Sequence, residues 1–69
     1  MRKFLIVIEK SENNYSAYSP DLPGCIATGS DVKEAEENMY EAIEMHLKGM
    51  EEDNIPIPVS SAIAEYVVL

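Results

Sequence analysis

The stretch DVKEAEENMYEAIEMHLKGMEE, residues 31–52, decides how the rest of the chain must fold. It is the one segment long and periodic enough for a substantial helix. On a 3.6-residue wheel Val32, Ala35, Met39, Ala42, Ile43, His46, Leu47 and Met50 gather on one side. Glu37, Glu41, Glu44, Lys48 and Glu51 gather on the other, which gives one apolar stripe and one solvated face. Asp31 is spaced to accept from the amide of Glu34, and Glu34 to reach back, so Asp-x-x-Glu imitates a capping box. Asn54 and Pro56 end the run, because proline disfavours helix in the residue before it and cannot continue the ladder itself.

The apolar stripe needs a sheet to cover. Lys3 to Glu9 is β-branched and apolar on both alternating faces. Phe4, Ile6 and Ile8 can take the helix, whereas Leu5 and Val7 face a side that so short a chain has little left to cover. Ser11 to Asn14 is a polar hairpin turn into a second strand, Tyr15 to Ser19. Pro20-Asp21-Leu22-Pro23-Gly24 is a rigid loop, with two prolines withholding amide donors and a glycine permitting positive φ. Cys25 to Thr28 is a third strand. After the helix and the extended Ile55-Pro56-Ile57-Pro58 connector, Ile63 to Leu69 resumes alternation and is expected to be a fourth. The expected class is α+β, ordered β-β-β-α-β, a small antiparallel-rich sheet with one helix on one face.

Sixty-nine residues make one domain with a marginal core. A single cysteine excludes an internal disulfide, and Cys25 with His46 cannot build a structural zinc site, so self-association, at least a homodimer, is the expected source of added stability. Met1-Arg2-Lys3 precedes only five apolar residues, too few for a signal peptide or a membrane span, which predicts a cytoplasmic protein with no membrane partner. Thirteen acids against five bases give a formal charge of −8, a field that repels nucleic acid and attracts basic partners.

Catalytic machinery is not evident in the pattern. His46 falls within the apolar arc, and a general base also needs a partner and a cleft. Cys25 follows a turn glycine with no nearby cation or second cysteine to lower its pKa, and reads as a small buried hydrophobe. A metal-dependent nuclease needs several acids converging on one point. Here the helix acids follow a solvated face, Glu9 and Glu12 flank a turn, and Asp21 sits in the proline loop, so no metal or other cofactor is expected.

Tyr15-x-Ala17-x-x-Pro20-Asp21-Leu22-Pro23-Gly24-Cys25, then Gly29, then Glu34-Ala35-x-x-Asn38-x-x-Glu41-Ala42-Ile43, resembles the signature of the HicB antitoxin family in both order and spacing. The resemblance spans nearly the whole chain. It implies a partial RNase H-like domain, and a type II antitoxin that neutralises a HicA-like toxin, a small basic mRNA-cleaving ribonuclease with an active-site histidine. Many members carry a C-terminal DNA-binding domain; this sequence stops at Leu69, so residues 1–69 are expected to form a single HicB-like domain that does not itself bind nucleic acid. The expected toxin-binding residues are Asp21, Glu37, Glu41 and Glu44, the largest single-signed feature available. Two other readings remain: an orphan HicB-like oligomeric binding domain without a toxin, and a metal-dependent RNase H-like nuclease, which the scattered acids disfavour.

Overall fold

The computed structural model describes residues 2–69 as a three-stranded antiparallel sheet in the order β1-β2-β3, with one helix laid across it. Strand β1 is Val7–Lys10, β2 Tyr15–Tyr18 and β3 Ile26–Gly29. Val7 pairs with Tyr18 and Lys10 with Tyr15; across the second ladder Tyr15 pairs with Gly29 and Tyr18 with Ile26. The β1–β2 turn closes through Ser11, whose amide donates to Asn14 O at 2.8 Å and whose hydroxyl donates to Asn14 Oδ1 at 2.6 Å. The α+β class and the placement of the helix are as the periodicity predicts.

Helix α1 runs Val32–Glu52. Asp31 caps it, its carboxylate accepting from Glu34 N at 2.7 Å. Glu34 reaches back one residue further than a capping box requires, accepting from Ser30 N at 2.8 Å. At the other end Asn54 takes φ 55°, while Asn54 N donates to Glu51 O at 3.2 Å and Ile55 N to Met50 O at 2.8 Å. This is a Schellman closure with asparagine in the left-handed position that glycine usually occupies. The helix thus ends at Glu52, four residues before Pro56.

Met39 and Ala35 are fully buried beneath the helix, and Ala17, Leu22 and Cys25 complete the core. Phe4, Ile6, Ile8, Ile43 and Leu47 pack around that centre but stay half-exposed. Val32, expected on the buried stripe, is instead exposed. Two further contacts hold the helix against the sheet. Asn38 Nδ2 donates to Thr28 O at 2.8 Å. Gly29 is buried directly under the first turn, where a Cβ would lie 2.8 Å from Ala35 Cα and Glu34 C, so only glycine permits this approach.

The strand at Ile63–Leu69 is the expectation the structure overturns. Among the described residues that segment pairs with nothing and every one of its side chains is exposed. The apolar alternation is real, but a strand needs a neighbouring edge to satisfy its amides, and from Ala62 onward the chain leaves its own sheet. The ladder of β1 is also shorter than expected: Phe4, Leu5 and Ile6 are half-buried, yet pairing begins only at Val7.

Candidate functional site

Along α1, Glu37, Glu41 and Glu44 lie three or four residues apart, the spacing that stacks side chains on one helix face. All three are exposed. Glu37 and Glu41 join Glu36 and Tyr40 around a shallow depression, and Glu44 stands with Glu36 and Tyr40 on the rim of a larger groove. Among the described residues the one salt bridge is Arg2 to Glu51 at 3.1 Å, on the surface, so this acidic face is not neutralised from within the chain. Tyr40 is 65% exposed in the middle of it. The sequence does not single out Tyr40, because an isolated tyrosine on a solvated face carries no periodic signal.

Asp21 has a different occupation. It lies in the β2–β3 loop, and its Oδ2 accepts from Ser61 N at 3.1 Å and Ala62 N at 3.2 Å, while Oδ1 accepts from the Ser61 hydroxyl at 3.3 Å. The amide of Ala62 above all, with the Ser61 amide and hydroxyl, holds the Asp21 carboxyl below its ordinary value against the opposing effect of desolvation. Thus three of the four expected residues form one surface, and the fourth clamps the chain that follows the helix.

The loop carrying Asp21 is rigid for reasons its prolines only partly supply. Leu22 N donates to Ser19 O and Cys25 N to Leu22 O, both at 3.1 Å. The buried Ser19 hydroxyl donates to Leu5 O at 2.8 Å, tying the loop to the N-terminal segment. Leu22 is driven into the core at 1% exposure, and Gly24 turns the chain at φ 83°. Leu22 is the core residue that reading the segment as a turn concealed.

His46 is half-buried beside Cys25, Ile26, Ala42 and Met45 around a shallow hollow. Burial pushes the Cys25 thiol above its ordinary value, which makes it a poor nucleophile. Among the described residues no group of three or more His, Cys, Asp or Glu side chains is placed to hold a metal ion, and no helix is long and apolar enough to cross a membrane. What this surface offers is charge, one exposed aromatic ring and apolar relief, which are means of binding.

Against known proteins, the model of the HicB-like antitoxin of bacterial toxin-antitoxin systems matches residues 4–68. The chain belongs to the HicB-like antitoxin family. It is 42% identical over 62 residues to a 14.9 kDa protein of the rep-hol intergenic region of Haemophilus phage HP1, covering 90% of this chain and 47% of that one. It is 47% identical over 49 residues to a UPF0150 protein of Helicobacter pylori, covering 71% and 68%. A chain from the solved HicA3 and HicB3 toxin-antitoxin complex superposes with a TM-score of 0.65 at 26% identity, covering 78% of this chain and 66% of that chain. The chain therefore spans about half the length of the phage relative. The HicB-like match covers the loop, the helix and most of the tail, which are the parts that build the surfaces described above.

Proposed function

We propose that this HicB-like domain is the antitoxin of a type II pair and neutralises a basic, HicA-like mRNA-cleaving ribonuclease by binding over it, without chemistry of its own. The observation that carries the reading is the family match joined to the un-neutralised acidic face at Glu37, Glu41 and Glu44. A basic ribonuclease is drawn to a chain of charge −8 from beyond contact range, and the charges at the rim set the association rate. Tyr40, an amphipathic ring amid the carboxylates, is suited to be the residue that holds the complex once formed. Asp21 adds to the same field, but its oxygens already serve Ser61 and Ala62, so its loss acts first on the tail. Self-association belongs to this reading as well, since the half-exposed core leaves apolar surface to cover.

The test uses a HicA-like toxin whose active-site histidine is replaced, so that it can be purified, and measures binding to the wild-type domain and to the Glu37→Lys, Glu41→Lys variant. Complex formation, with protection of RNA when the active toxin is used, is the expected result. A wild-type domain that neither binds nor protects removes the antitoxin reading and leaves an orphan binding domain.

A further inference from the structure

Two parts of this chain lack a partner, and they are complementary. The first is the β1 side of the sheet. Helix α1 lies closest to β3, less so to β2 and least to β1, so it is offset from the β1 edge. The uncovered space is a groove of about 370 Å³ floored by Phe4, Ile6, Ile43 and Leu47 and flanked by Tyr40 and Glu44. Strand β1 is also an outer strand, so alternate amides and carbonyls of Val7–Lys10 point outward with no ladder. On the far side of the sheet Leu5 and Val7 remain half-exposed.

The second is the tail. Past the Asp21 clamp, Ile63, Tyr66, Val67, Val68 and Leu69 are all at least 80% exposed. The radius of gyration is 13.1 Å, against about 11 Å for a compact domain of this length. In an extended segment Ala64, Tyr66 and Val68 share one face, and Ile63, Glu65, Val67 and Leu69 share the other.

We infer that two copies of this chain exchange their tails, residues 63–69 of each adding a strand to the open edge of β1 in the other. The added strand turns Tyr66 and Val68 into the Phe4–Leu47 groove. Its other face lays Ile63, Val67 and Leu69 over Leu5 and Val7, with Glu65 on the same side as Lys3, one of the few cations the chain has. The exchange is twofold and self-complementary. Covering five such side chains from each copy removes on the order of 1,500 Å² from water, the size of a stable interface. A second copy is the occupant because residues 63–69 stay exposed and unpaired in their own chain, while the chain supplies one groove and one tail per copy. The inference gives the self-association proposed above its mode, and it does not rest on toxin binding, since every measurement below is made on this chain alone.

The decisive experiment mixes a ¹⁵N-labelled chain with an unlabelled chain carrying a nitroxide at Ala64→Cys; the native Cys25 is buried and slow to label. Broadening of the Val7–Lys10 amides in the ¹⁵N copy, with a dimer in sedimentation at about 50 μM, is the expected result. Monomer at that concentration overturns the inference. So does broadening of β1 only when label and ¹⁵N share a chain, which places the tail on its own sheet, or a dimer in which β1 is untouched. A Tyr66→Asp, Val68→Asp variant should raise the dimer dissociation constant at least about a hundredfold with the helical circular dichroism unchanged; a dimer of wild-type strength also overturns it.

Discussion

The helix of residues 32–52 and the tail of residues 63–69 are both apolar in a regular period, yet one is a fixed element and the other is exposed throughout. The difference lies in what each finds within its own chain. The helix meets a sheet face, a glycine that lets it come close, a cap at Asp31 and a closure at Asn54. The tail meets only a clamp at its start, where Asp21 holds Ser61 and Ala62. Periodicity says which face wants burial; whether the burying surface exists in the same molecule is a separate fact.

The sharpest way to break this contrast is at the helix–sheet junction. Met39→Ala and Leu22→Ala each remove a fully buried side chain and are expected to cost about 2–5 kcal/mol, read as a lowered urea midpoint. Leu47→Ala, on the groove wall, should cost less, about 1–2 kcal/mol in dilute monomer, with the loss growing as concentration rises and a tail comes to cover it. A Leu47 loss equal to that of Met39 would place the groove inside the monomer's own core.

Gly29→Ala comes next. The new methyl meets backbone atoms of Glu34 and Ala35 that cannot swing aside, and the overpacking cost is about 1–3 kcal/mol. A neutral result in chemical denaturation would mean that the helix stands further from β3 than described.

The smallest effect is on the tail. The Asp21 carboxyl is held below its ordinary value by the amide of Ala62 first and by Ser61. A depressed pKa in the folded state means that this docking is fully present above the ordinary carboxylate value and is lost as pH falls through the depressed one. Amide shifts of Ser61 and Ala62 should therefore titrate in acid, below the range of a free aspartate, and Asp21→Asn should abolish that titration while the helix signal stays. A titration at the ordinary aspartate position would show that the clamp does not hold in solution.

What the sequence revealed follows the same division. The helix, its cap, its stop and the Phe4, Ile6, Ile8 face were legible because each is encoded within one or two turns or by strict alternation. Leu22 was hidden, since a loop bounded by two prolines gives no sign that its central side chain turns inward. Asp21 read as a free acid because its partners lie 40 and 41 residues later. The fourth strand was misplaced for a related reason: the tail has strand chemistry, but the position of an edge for it to join is a tertiary fact.

The proposed contact is that of the acidic helix face with a basic ribonuclease. It is tested most directly by the association rate of the histidine-replaced HicA-like toxin with the wild-type domain and with Glu37→Lys, Glu41→Lys, each at about 50 and 300 mM salt. The wild-type rate is expected to fall steeply with salt. The variant should associate at least about tenfold more slowly at low salt, with a flattened salt dependence and a dissociation rate changed far less. Equal association rates at both salt concentrations would remove the helix face from the interface.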